Sequence, residues 1–190
     1  MRIKTNVLLL LIFFFLLQLV AAFFYNTNTL SFDESMWHYI GRNWFYRGLI
    51  PYDGGVDNKS PFIFAIFGLS DWLFGLNIYF PRILGIIFQI AGIYLVYRIG
   101  MSMGSEQVGK FSMIIYGCAL LWYSTGAHLV SGTESYEICL LLLSIHLTAK
   151  KRRTLSGLIG GFAIGFRLSG LFGVLAIAIF NRRGAKQFIS

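Results

Sequence analysis

Six apolar runs divide the chain: Val7 to Phe24, Phe62 to Phe80, Pro81 to Tyr97, Phe111 to Val130, Ser131 to Ala149 and Leu155 to Phe180. Each is long enough for a helix, and none shows the strict alternation of a half-buried strand. Val7 to Phe24 is 18 residues without a formal charge, close to the ~20 residues that cross a ~30 Å hydrocarbon layer. The last run is 26 residues long, with Arg167 leaving 12 residues before it and 13 after. Neither half spans a bilayer alone, so the pattern predicts a hairpin of two short helices turning at Arg167.

The polar interval after the first run, SFDESMWHYIGRNWFYRGLIPYDGGVDNKSP from Ser31 to Pro61, has a different pattern. Ser31 and Glu34 fit the capping box S-x-x-E, which predicts a helix from Phe32 with Trp37, Ile40, Trp44 and Phe45 on an aromatic face suited to a bilayer interface. Pro51 and Pro61 fix φ, and Gly54 and Gly55 permit tight turning. The interval is therefore expected to fold back and present Asp53 and Lys59 beside the helix that carries Asp33. Ser131 and Glu134 form a second capping-box pattern. Gly157, Gly161 and Gly165 recur every fourth residue, a spacing that permits close helix packing.

Composition turns these helices into a membrane reading. With 190 residues, 56% hydrophobic and only 13% charged, the chain is too apolar for an ordinary soluble domain and too long for one anchor. Arg2 and Lys4 before the first run resemble the charged region of a signal peptide, with small residues at Ala21 and Ala22, but the apolar core exceeds the usual ~7–15 residues and favours a retained span. The net charge of +8 comes mainly from clusters near Arg98 and Lys110, at Lys150 to Arg153, and at Arg182, Arg183 and Lys186. By the positive-inside rule these face the cytoplasm with the amino terminus, and they give no case for nucleic-acid binding. The basic run also favours anionic membrane lipids.

That bookkeeping fails if Phe62 to Phe80 crosses the bilayer. It is expected instead as a juxtamembrane or re-entrant helix carrying Asp71 at the outer interface, so that residues 25–80 form one extracytoplasmic loop. The expected fold is an all-α multi-pass membrane protein with a helical outer loop. Five of the eight acidic residues lie between Ser31 and Asp71. Cys118 and Cys139 fall inside apolar runs and read as small buried residues, not a disulfide framework. His38, His128 and His146 lack ligand spacing, so no metal or other cofactor is expected; His128, near the outer turn, is at most a polar contact.

Taken in order, Asp33-Glu34, Gly48-Leu49-Ile50-Pro51-Tyr52-Asp53, Asp57-Asn58-Lys59-Ser60-Pro61, Phe74-Gly75 and Pro81-Arg82-Ile83-Leu84 resemble the amino-terminal part of the GT-C glycosyltransferases that use lipid-phosphate sugars. The resemblance is to their protein O-mannosyltransferase and aminoarabinose-transferase branch. It extends to Glu134 at the start of the fourth span and Arg167 in the hairpin. Ser60 stands where a second proline is common, and Glu134 where aspartate is frequent. Such enzymes normally continue with further spans, so residues 1–190 correspond to a partial module: a fragment, a truncated product or a subunit completed by a partner chain.

The resemblance implies transfer of a sugar from a polyprenyl-phosphate donor to a hydroxyl or phosphate at the outer membrane face. Asp33 is the candidate general base, and Glu34 either orients the acceptor or caps the helix. Asp53, Lys59, Arg82, Glu134 and Arg167 are the candidate substrate-binding residues, with Lys59, Arg82 and Arg167 expected to converge on the donor phosphate. Arg167 reads equally as the partner of Glu134 or Glu137 in a structural ion pair. Two other functions fit less of the pattern: a noncatalytic subunit that binds lipid-linked sugar, and a small transporter with Arg167 lining its path.

Overall fold

The computed structural model describes residues 4–25, 30–126 and 130–187, with no side-chain description for 24–25, 123–126 and 180–187. His128 and the side chains of Arg182, Arg183 and Lys186 therefore lie outside the described residues. Among the described residues every regular element is helical. Helix α1 (Thr5–Val20) runs into a π-helical turn (Ala21–Tyr25), and α2 (Phe32–Arg47), α3 (Pro61–Phe74), α4 (Tyr79–Met103) and α5 (Glu106–Gly126) follow. The remaining helices are α6 (Thr133–Ala149), α7 (Arg153–Phe166) and α8 (Gly170–Gln187). Two of them, at Thr5–Phe23 and Tyr79–Met103, are long and apolar enough to cross a membrane.

Helix α4 is the spine of the molecule. Its carboxyl half packs between α1 and α5, where Val7, Leu11, Phe14, Ile93, Tyr97 and Met113 form a buried cluster. Small residues set that approach: a Cβ on Gly100 would meet the backbone of Gly109 at 3.0 Å, and one on Gly117 would collide with the Phe14 ring. The amino half of α4 lies along α6, with Tyr136 Oη donating to Pro81 O at 3.2 Å and Gln89 Nε2 to Ser135 Oγ at 2.9 Å. The close approach here depends on Gly85, where a Cβ would sit 2.3 Å from the Val130 carbonyl oxygen.

The contacts fix the helix directions. Lys4 pairs with Glu106 and Phe14 packs on Gly117, so α1 and α5 are parallel. Pro81 lies at Tyr136 and Gly92 near Leu142, so α4 and α6 run together in the opposite sense. Helices α7 and α8 form the hairpin expected at Arg167, which breaks the helix with extended backbone angles. Ser144 Oγ donates to Ser156 O at 2.9 Å where α6 meets α7.

One end of this bundle collects the carboxyl end of α1, the amino ends of α4 and α6, and the α7–α8 turn. The opposite end collects Lys4, Glu106, Lys110 and the Lys150 to Arg153 run. The α2–α3 pair covers the first end, held by a helix crossing in which a Cβ on Gly41 would sit 2.5 Å from Gly68 N. Trp37, Ile40, Ile63, Phe64 and Phe67 are buried at that crossing, next to Tyr136 and Phe166.

Several sequence expectations are corrected by this packing. Trp37 and Ile40 do not face a bilayer interface: they are 1% and 0% exposed, because the glycine crossing lays α3 over that face of α2. Of the four residues expected there, Phe45 is exposed and Trp44 is partly buried against the same cluster, and the other exposed aromatics of α2 are Phe32, Tyr39 and Tyr46. Gly157 and Gly161 face open space, and of that series only Gly165 is a close approach, against Phe62. Gly160, one position out of step, is the residue that admits Val174 of α8. Both cysteines are free, but Cys118 is exposed: α5 turns Met113, Gly117 and Leu120 inward, which leaves residue 118 on its outer side. Helix α4 continues six residues beyond Tyr97, to Met103.

Candidate functional site

The capping box at the start of α2 forms as the sequence predicts. Glu34 N donates to Ser31 Oγ at 3.1 Å, and Ser31 N to Glu34 Oε2 at 2.9 Å. Glu34 then does more than cap. Arg82 grips its carboxylate bidentately, Nε to Oε1 at 2.9 Å and Nη2 to Oε2 at 2.8 Å, and Ser131 Oγ donates to Oε1 at 2.9 Å. Arg82 Nη1 also donates to Ala22 O at 3.2 Å. The cluster thus ties the start of α2 to the end of α1, the first turn of α4 and the segment before α6.

Glu34 and Arg82 are 1% and 3% exposed, so the pair is out of water and its geometry has to satisfy both charges. Burial disfavours the ionised carboxyl, but the Arg82 and Ser131 hydrogen bonds, the Ser31 amide and the Arg82 charge outweigh it and hold the Glu34 carboxyl below its ordinary range. Asp33, next in sequence but on the outer side of the helix, is half-buried and has no ion pair among the described residues. A free carboxylate therefore stands beside a fully engaged one, in the first helical turn where the N–H groups favour negative charge.

The ion pair that the sequence offered as the alternative role of Arg167 assembles. Arg167, at the α7–α8 turn, hydrogen-bonds to Glu134 in the first turn of α6. Glu137 accepts from Ser169 Oγ at 2.8 Å, so Glu134 is the partner of the two carboxylates offered by the sequence. The capping box expected at Ser131 is not formed: Gly132 is the cap residue and no side chain caps it. The Ser131 hydroxyl is drawn to Glu34 and the Glu134 carboxylate to Arg167, leaving neither for the local motif.

The interval from Gly48 to Pro61 folds back onto α2, as expected, but through different atoms. Asn43 Nδ2 donates to Gly54 O at 2.6 Å and Trp37 Nε1 to Asp57 Oδ2 at 2.9 Å. Tyr52 takes a left-handed φ of 79°, which a non-glycine residue adopts only when its surroundings require it. Its hydroxyl donates to Lys59 O at 2.6 Å. Asp53 is exposed, Lys59 is half-buried with its amine on Asn58 Oδ1 at 2.8 Å, and neither forms an ion pair with Asp33. Asp57 is the loop carboxylate that reaches α2. Of the three cations expected to share one phosphate, Arg82 is committed to Glu34, Arg167 to Glu134, and Lys59 to its own loop.

Sequence reasoning missed a buried pair on the far side of α2. His38 Nδ1 lies 2.7 Å from Asp71 Oδ1, both side chains almost fully buried, while half-exposed Arg42 stands 3.9 Å from Asp71 Oδ2. Tyr46 Oη donates to Asp71 O at 2.8 Å. Burial pushes the His38 imidazole down against the opposing pull of Asp71, and pushes the Asp71 carboxyl up against His38 and Arg42. The signal was present: His38, Arg42 and Tyr46 recur every four residues, and a lone aspartate in the apolar α3 needs a polar partner. Asp71 thus faces α2 rather than the interface. Beside this pair opens a groove of about 510 Å³.

Among the described residues no three His, Cys, Asp or Glu side chains group to hold a metal ion. No protein family, curated protein or solved structure matches the chain.

Proposed function

We propose that this chain is the amino-terminal membrane module of a GT-C-type glycosyltransferase, which moves a sugar from a polyprenyl-phosphate donor to an acceptor at the outer membrane face. The observation that carries this reading is the contrast between adjacent carboxylates. Glu34 is consumed by Arg82, Ser131 and the helix cap, whereas the adjacent Asp33 takes no part in the clamp.

In this reading Asp33 takes the proton of the acceptor hydroxyl as its oxygen bonds to the anomeric carbon. The bond from that carbon to the phosphate oxygen breaks, and the lipid phosphate leaves with the electron pair. Arg167 and Lys59 supply positive charge for the departing phosphate, with Glu134 orienting Arg167. Arg82 is a positioning residue, acting through Glu34. Asp53, exposed at the loop turn, is an acceptor contact. The module lies in the membrane as a multi-pass bundle with its amino terminus cytoplasmic and loop 25–80 outside, and a continuation of the chain or a partner chain supplies the remaining spans. Membrane lipids surround it; the lipid-linked sugar is a substrate, not a cofactor.

A noncatalytic subunit that binds lipid-linked sugar is the second reading, favoured by the pairing of Arg82 and Arg167 with carboxylates of the same chain. The two separate in one experiment. In membranes containing the chain with its completing spans, Asp33→Asn should retain the polyprenyl-phosphate sugar while transfer falls by roughly 10²–10⁴-fold, the usual contribution of a general base. Full turnover by Asp33→Asn rejects the assignment. Donor retention without transfer by the wild type favours the noncatalytic subunit.

A further inference from the structure

The groove beside His38 and Asp71 has no part in the sugar-transfer reading: neither Asp33 nor Glu34 lines it, nor do Lys59, Arg82 or Arg167. No aspartate or glutamate lines it either, although loop 25–80 is the most acidic part of the chain. Its polar wall carries Arg42, Arg47 and Tyr39, all exposed. Arg42 leans back toward buried Asp71 and packs over the Tyr46 ring with its guanidinium carbon 5.9 Å from the centroid. His38 lines the groove as well, with both ring nitrogens buried away from solvent.

The groove is also lined by the apolar side chains of Leu30 and Leu76. Leu76 is 57% exposed and continues a surface of exposed Leu69, Trp72, Leu73 and Phe74 at the end of α3. Two guanidiniums and a phenol thus stand where a greasy patch begins. Arginine presents a planar fork of donors that matches phosphate oxygens, and an adjoining apolar surface suits the first carbons of an acyl chain.

We infer that this groove is a phosphate-binding site for an anionic amphiphile, with Arg42 and Arg47 on the phosphate, Tyr39 as an added donor and the Leu76–Trp72 surface under the hydrocarbon. The shared chemistry is a phosphate mono- or diester, borne by a bilayer lipid headgroup or free in solution. It is independent of the chemistry assigned to Asp33, and its test does not involve sugar transfer.

The test is photolabelling of the whole chain in proteoliposomes with phosphatidic acid carrying a headgroup diazirine, mapped on chymotryptic peptides. Label is expected on residues 35–47 and should fall at least about tenfold in R42Q/R47Q, the loss expected when charge-assisted hydrogen bonds are removed. Label at the Lys150 to Arg153 run should not change, which gives an internal control. The charge-conserving R42K/R47K pair should keep most of the label. Diacylglycerol with the same photoreactive group should leave residues 35–47 unlabelled. Displacement by millimolar inorganic phosphate would assign the site to soluble phosphate; resistance to it would assign the site to lipid headgroups. Equal labelling of 35–47 in R42Q/R47Q, or by diacylglycerol, overturns the proposal. If the double variant is not recovered folded, R47Q alone carries the same test, since Arg47 is exposed and has no ion pair among the described residues.

Discussion

Removing the Glu34 carboxylate would strand a guanidinium that is almost fully out of water. Glu34→Ala should therefore destabilise the folded chain by about 3–5 kcal/mol, the cost of breaking a buried pair from one side. Asp33→Asn, one residue away, should change stability by no more than about 0.5 kcal/mol. Thermal unfolding in one detergent compares them directly, and equal losses would mean that Asp33 is a cap and not a free carboxylate. Half of this arrangement was legible in the sequence. The capping box is a local motif, readable because both partners lie within one turn of Ser31. The Arg82 clamp was not, because its partner is 48 residues distant and only the fold brings the two together.

The His38–Asp71 pair gives a pH-dependent signature at the same scale. The folded His38 imidazole is held below its ordinary value of 6.5, so on acidification the unfolded chain takes up the proton first. Stability contributed by neutral His38 is complete above pH 6.5 and is lost as pH falls below it. Asp71, whose folded carboxyl is raised, works in the opposite sense, favouring the folded state where it is protonated; Arg42 and Glu34 are the other charges bearing on His38. His38→Gln should flatten the unfolding temperature between pH 7 and pH 5.5. An unchanged slope would show that another group titrates there.

At the scale of elements, glycine decides which helices touch. A methyl group on Gly41 would meet the Gly68 backbone at 2.5 Å, and backbone cannot swing aside as a long side chain can. Gly41→Ala should loosen the α2–α3 pair at about 1–3 kcal/mol, while Gly161→Ala, in open space, should be neutral or stabilising by up to about 1 kcal/mol. Protease cutting within 48–60 gives a readout specific to that pair, rising for Gly41→Ala and not for Gly161→Ala. The hairpin at Arg167 was legible because a charge interrupts an apolar run. The glycine crossing was not, since Gly41 and Gly68 share no spacing within either helix, and the regular series Gly157, Gly161 and Gly165 pointed to a face that mostly stays open.

At the scale of the whole molecule, the helix directions sort charge by end. Asp33, Glu34, Asp53, Asp57, Asp71 and Glu134 gather at one end with Arg42, Arg47, Lys59, Arg82 and Arg167, and Lys4, Arg98, Lys110 and Lys150 to Arg153 lie at the other with Glu106. Basic clusters in the sequence imply this separation without reference to any contact, because the positive-inside rule needs only the order of runs and charges. What they did not reveal is that most of the acidic end's cations are already paired. The proposed sugar transfer requires that end to face outward, where a lipid-borne sugar would reach Asp33. Two-sided labelling tests it most directly: single cysteines at Asn77 and Ser105, in a C118A/C139A background, probed with a membrane-impermeant maleimide in sealed vesicles of known orientation. Asn77→Cys should react only from outside and Ser105→Cys only from the cytoplasmic side. Reaction of Asn77→Cys only from the cytoplasmic side, or of both positions from the same side, would contradict the account.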